Sequence, residues 1–178
     1  MPAIERIRPW SFMLIGTLIV STHACAQPDL YALEAAYVFN FAEFTQWPAD
    51  GARSGGLRVC ARAQSPLRDA LAALDGRSIG TSTWRFKPVV DKFDASECDV
   101  LILDAQTGSR FGLDPVINTD RAILIVGADD AVASDGSGAV IQIVHADEHL
   151  QFEINNTEAA RRHLVLSSKL LRLARKVR

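Results

Sequence analysis

His145 and His149 stand four residues apart, a spacing that on a helix brings two imidazoles to one face and to one metal ion, with His163 as a possible third ligand. The pair brackets an expected hairpin turn between GAVIQIVH (138–145) and LQFEIN (150–155), so both are read as exposed turn histidines and no metal site is expected. Asp99, Asp104, Asp129 and Asp130 fall at the ends of apolar runs, where they would ring the carboxyl edge of a parallel sheet. No nucleophile–base pair can be named among them, and loop solvation and turn capping account for them. GxSxG, GxxxxGK[ST] and HExxH are absent; DGSGA (135–139) lacks the lysine and the following Ser/Thr of a phosphate-binding loop and reads as a turn, and GRSIG (76–80) is too short for a dinucleotide fingerprint. The chain is therefore not expected to be an enzyme or to carry a cofactor.

Two features point to recognition instead. In QFEIN (151–155), strand alternation turns Phe152 and Ile154 one way and Glu153 the other, and the next helix is expected to bring Arg161 back toward Glu153 beside a surface pocket. The bland account of that pair is a surface ion pair contributing about 1 kcal/mol or less. In AAYVFNFAEFTQWP (35–48), apolar residues at 30, 33, 37, 41 and 44 keep helical spacing and read as core, with Ala36 and Val38 widening the stripe. Phe39 lies off the stripe and is assigned to a dimer or partner surface, whereas Asn40 is read as a buried amide that satisfies backbone groups.

These residues need elements to position them. The 30–47 helix has Asp29 as N-cap and is expected to stop at Pro48, before a polar loop over 50–56. LRVCAR (57–62) and STWRFKPVV (82–90) read as strands flanking a helix, SPLRDALAALDG (65–76), capped by Ser65 and closed by Gly76. DVLILD (99–104) and RAILIVG (121–127) are continuous apolar runs, the mark of strands buried on both faces, with a short helix expected over 110–117 between them. After the hairpin, NTEAARRH opens a helix capped by Asn155 or Asn156, with Asn155 and Glu158 at capping-box spacing, and a last helix is expected over 167–177. Strand–helix alternation with a late hairpin predicts an α/β three-layer sandwich, its central sheet largely parallel and helices on both faces.

The C-terminus carries Arg161, Arg162, Lys169, Arg172, Arg175, Lys176 and Arg178 with no acid after Glu158. The bland reading is an amphipathic helix with cations near its C-terminal end; the sharp one is a face for an acidic partner or anionic lipid. A net charge of −2 over 178 residues gives no sign of general nucleic-acid binding. Arg6 and Arg8, the apolar run at 10–20 and Ala24-Cys25-Ala26 read as a secretory signal cleaved after Ala26, leaving one domain over 27–178; a retained anchor helix is the competing reading. In an exported chain the two remaining cysteines, Cys60 and Cys98, are expected to form a disulfide, against the alternative of two separate buried thiols.

Taken with LRVCARAQSPLRDAL, ALDGRSIG, ECDVLIL, AILIVG, GSGAVIQIV and LQFEINNTEAARRHLVLSSKLLRLAR, the opening helix makes nearly all of the chain after residue 26 resemble the YfiR family of periplasmic proteins. The resemblance implies a periplasmic repressor that binds the periplasmic part of an inner-membrane diguanylate cyclase, lowering cyclic di-GMP and restraining biofilm formation. It also implies a homodimeric α/β fold, a disulfide matching Cys60 and Cys98, and an outer-membrane lipoprotein that can sequester the repressor. Some members carry a second cysteine pair near GAVIQIV, which this chain lacks, so redox sensing through that pair is not implied here. A periplasmic small-molecule-binding sensor, with Glu153 and Arg161 at its pocket, is the alternative.

Overall fold

The computed structural model describes residues 29–48, 55–94, 96–104, 116, 118–128, 138–146 and 149–178. The expected signal segment, most of the 110–117 helix, and Asp129 and Asp130 lie outside the described residues. The long apolar runs become strands β2 (Leu57–Arg62), β4 (Ser82–Val89), β5 (Val100–Leu103), β6 (Leu124–Gly127), β7 (Ile141–Ala146) and β8 (His149–Ile154); β1 (Thr45–Gln46), β3 (Ser78–Ile79), β9 (Val165–Leu166) and β10 (Lys176–Val177) are two-residue strands. Helices are α1 (Leu30–Glu43), α2 (Arg68–Ala72), α3 (Asn156–Arg161) and α4 (Ser168–Leu173).

Eight strands form one sheet in the order β10-β8-β7-β6-β5-β2-β4-β3. Only the β7–β8 hairpin and the β3–β4 pair are antiparallel, so the sheet is largely parallel as expected. β1 and β9 form a separate antiparallel pair that ties the end of α1 to the stretch before α4. In β5 and β6 every residue is buried, and successive residues enter different cores. Val100, Ile102, Leu124 and Val126 join a core built with all four described helices; Leu101, Leu103, Ile123 and Ile125 join Cys60, Cys98, Phe93 and Val116 on the other face. That alternation is the reason both runs read as unbroken apolar sequence. The short helix expected over 110–117 lies outside the described residues except at Val116, which packs in the core on the disulfide side.

Three elements depart from expectation. α1 ends at Glu43, because Thr45–Gln46 hand the chain to the two-stranded sheet before Pro48 is reached, with Thr45 Oγ1 donating to Phe41 O at 2.6 Å. The 65–76 helix shrinks to five residues flanked by turns. The last helix stops at Leu173: Ala174 is extended (ψ 138°), and Lys176–Val177 runs parallel to β8, with Arg175 N and Arg178 N donating to Phe152 O and Ile154 O. Lys176 and Val177 therefore belong to an edge strand, not to the amphipathic face assigned to them.

Cys60 on β2 and Cys98, just before β5, form the disulfide, with Cα atoms 5.8 Å apart. Beside it Asp99 accepts from Arg58 N, Nε and Nη2 at 2.9, 3.0 and 3.0 Å, so a covalent and an ionic staple hold the β2–β5 junction together. The hydrogen bonds to Asp99 raise the Arg58 pKa against the opposing effect of burial. Asp99 thus has a structural partner, where turn solvation had been expected.

Closing a loop of 38 residues should contribute roughly 4 kcal/mol in the chain-entropy account. Cys60→Ser and Cys98→Ser are expected to lower stability in urea by similar amounts, and the double variant by little more than either single one. Additive losses would mean that each sulfur contributes separately through packing. At Gly56, φ is +99° and an added Cβ would lie 2.5 Å from Thr83 O, whereas a Cβ at Gly55 meets nothing within 4 Å. Gly56→Ala is expected to cost more than about 1 kcal/mol and Gly55→Ala less than about 0.5; equal midpoints for the two variants would refute the strain argument.

Candidate functional site

α1 presents two faces. Glu34, Ala35, Val38, Phe41 and Ala42 are buried against the sheet. Leu30, Tyr31 and Leu33 are 46, 45 and 40 % exposed, and Ala36 and Asn40 are exposed as well. The core stripe is therefore rotated from the one expected: Val38 and Phe41 are buried as expected, but Glu34, Ala35 and Ala42 join them, whereas Leu30, Leu33 and Ala36 are exposed and Tyr37 and Phe44 half-buried. Asn40 is not a buried amide.

The displaced half of the stripe lines a groove of about 750 Å³ between α1, β8 and α4. Its floor is aromatic. Phe41 and Phe152 lie 4.9 Å apart between ring centroids, and Tyr37 meets both edge-on at 5.9 and 6.2 Å. Tyr37 donates its hydroxyl to Leu150 O at 3.2 Å, fixing the ring to the strand. Phe44, Leu170 and Leu173 form the walls, and Leu173 is 64 % exposed. Asn40, Gln151, Lys169 and Arg175 supply the polar lining, and none of the lining residues is acidic. Lys169 Nζ sits 5.0 Å from the Phe44 ring centroid, a cation–π distance.

Glu153 points away from this floor, as alternation requires: Phe152 faces Ile143 across the hairpin, and Glu153 faces Gln142. It does not pair with Arg161. Glu153 meets Arg175 at 3.1 Å and Arg178 at 3.6 Å, both delivered by the terminal strand, so it holds Arg175 beside the groove. Arg161 instead meets Glu158 at 2.6 Å and Asp120 at 3.2 Å. Nearness in sequence had suggested the wrong partner; the chain's return through β10 supplies the right one. Phe39 is half-buried, 5.3 Å from Trp84 between ring centroids and with the Arg77 guanidinium 4.9 Å over its ring. Neither Phe39, Glu153 nor Arg161 lines the groove.

The histidine pair resolves in the hairpin register. His145 stands opposite Leu150, and His149 opposite Ala146. Cross-strand partners share a face and successive residues alternate, so the two imidazoles point to opposite faces of the sheet. The string from His145 to His149 also has HxxEH spacing, but that motif needs a helix, and β7 and β8 deny it one. His145 is not merely a solvated turn residue: its Nε2 lies 2.7 Å from Oε1 of Glu34, whose side chain is 3 % exposed. Sequence reading missed Glu34, since a carboxylate within an apolar helix shows its worth only when a partner 111 positions away is in view. Among the described residues no three His, Cys, Asp or Glu side chains gather as a metal site.

α3 carries a second ionic cluster. Asn155 caps it by accepting from Glu158 N at 3.0 Å. The Glu158 carboxylate does not complete a capping box; it accepts from Arg161 and from Arg162, the latter fully buried and donating also to Val116 O. Burial pushes the Glu158 carboxyl up, but hydrogen bonds and charge from the two arginines outweigh it and hold the carboxyl below its ordinary value. Burial lowers Arg162, against the pull of Glu158. A depressed carboxyl contributes stability that is full above its unfolded value, near 4.3, and is lost as pH falls through the lower folded value. Glu158→Gln should cost on the order of 2–4 kcal/mol at pH 7 and flatten the fall in unfolding midpoint below about pH 4.3. An unchanged acid slope would contradict this assignment.

A family model described as YfiR/HmsC-like matches residues 31–175, which takes in α1 from its second residue, every strand but β10, the disulfide and all the residues that line the groove. No curated protein matches the chain. Among the described residues no helix is long and apolar enough to cross a membrane.

Proposed function

The chain belongs to the YfiR/HmsC-like family, and on that premise we propose that it is a non-catalytic regulator that binds the periplasmic part of an inner-membrane diguanylate cyclase and represses it. The observation that carries this reading is the match over residues 31–175, because it spans every element that builds the groove. In this reading residues 1–26 are a cleaved export signal, 27–178 reside in the periplasm, and the fold is a three-layer sandwich with helices on both faces of its sheet. The homodimer and sequestration by an outer-membrane lipoprotein belong to the same proposal.

The aromatic groove supports a binding role. Its floor offers ring faces and edges to an apolar partner, and its rim offers cations, the combination that recognition surfaces concentrate at their centres. Glu153 enters the proposed surface by holding Arg175 at the rim; Phe39 and Arg161 are further contact candidates outside the groove. Small-molecule sensing is the second reading, favoured by a groove volume within the range of ligand pockets, about 300–1,000 Å³.

Loss of the gene is expected to raise cellular cyclic di-GMP several-fold, and tagged protein should recover a membrane protein with a GGDEF domain from native membranes. Unchanged cyclic di-GMP with no such protein recovered would refute repression. A small molecule retained through native purification would turn the case toward sensing.

A further inference from the structure

We propose that the groove between α1, β8 and α4 receives an acidic amphipathic helix of the partner protein, its apolar face on Tyr37, Phe41 and Phe152 and its carboxylates toward Lys169 and Arg175. This rests on the partner-binding reading above and adds the place and the chemistry of the contact.

The argument for a helix is one of backbone hydrogen bonding. β8 pairs with β7 along its length and with β10 at Glu153 and Ile154, and just before them Phe152 O accepts from Arg175 N. The other walls are helices, and Tyr37 Oη already takes Leu150 O. With Leu150 O and Phe152 O already taken by Tyr37 Oη and Arg175 N, an entering strand would find these edge carbonyls occupied and would bury N–H groups of its own without partners. A helix satisfies its backbone internally and needs only an apolar face, the helix-in-groove mode. The exposed Leu173 extends the apolar floor toward solvent, so the groove continues along the surface instead of closing over a small ligand.

The argument for acidity is charge. Lys169 and Arg175 line the groove with no carboxylate among its lining residues, and Arg172, Lys176 and Arg178 stand exposed on the same C-terminal segment. Glu153, the nearest acid in the network, faces away from the floor and is occupied by Arg175 and Arg178. An acidic helix would be steered and registered by these cations. A concave aromatic floor favours a protein segment over a membrane surface, which would meet exposed side chains without entering a groove.

The test uses the full chain in cells, with a photoreactive phenylalanine analogue at Asn40, at Leu173, or at Val90, just past the end of β4 toward the other end of the sheet order. Asn40 is exposed in the groove lining, and Leu173 and Val90 are 64 and 63 % exposed, so none of the three should disturb folding. The expected result is capture of the cyclase from Asn40 and Leu173 but not from Val90, mapping to an acidic helical segment. In addition, Lys169→Glu should weaken cyclase binding about tenfold, with an unchanged unfolding midpoint and reduced salt dependence. Capture from Val90 alone overturns the groove assignment while leaving repression standing. Capture of lipid from the groove, with binding to phosphatidylglycerol vesicles, overturns it in favour of a membrane. Capture of no protein from any position, with cyclic di-GMP indifferent to the gene, overturns both proposals.

Discussion

Phe41 is 1 % exposed and lies against Phe152, ring centroids 4.9 Å apart, and this contact decides where α1 sits on the sheet. Burying such a ring contributes roughly 1.5–3 kcal/mol, and the helix that carries it has few other choices. Once Phe41 is seated, Val38 and Ala42 must face the same core, and Glu34 must enter beside His145. Leu33, Tyr37, Asn40 and Phe44 then fall on the flank. The groove follows from that phase: it is the space left where the flank of α1 meets β8 and α4 without filling it.

The sheet under this contact is held by devices that do not compete with the groove. The disulfide and the Arg58–Asp99 pair fasten β2 to β5 from the opposite core, and Arg162 ties α3 to Val116. The C-terminal turn into β10 performs two tasks at once. It pairs β8's outer edge at Glu153 and Ile154, and it carries Arg175 to Glu153 at the groove's rim. A helix continued through Val177, as the apolar spacing of that segment suggests, would have done neither.

Much of the scaffold was legible in the sequence, because it rests on local chemistry. LRVCAR is bounded by Gly56 and a turn, and its six residues are the strand. Asp29, Asn155 and Ser167 cap their helices through their own side chains. Cys60 and Cys98 pair, as expected from the two cysteines left after the expected signal segment. What failed required knowledge of distant neighbours. The aromatic stripe of α1 has helical spacing whichever face is buried, so periodicity could not choose between core and groove. Glu34 carries no signal of its own in the sequence, because its partner His145 is supplied by β7. Ala174 breaks a helix that its own residue types would continue, for β8 offers it backbone partners. The groove was invisible for the same reason: it forms where α1 meets the C-terminal part of the chain, Tyr37 reaching Leu150 across 113 positions.

Hydrogen–deuterium exchange on the full chain, with and without the periplasmic domain of the cyclase, tests the central claim most directly. The account predicts slower exchange on binding at 37–44, 150–152 and 169–175, with 82–90 unchanged. Protection over β3 and β4 with the groove segments unaltered would contradict it.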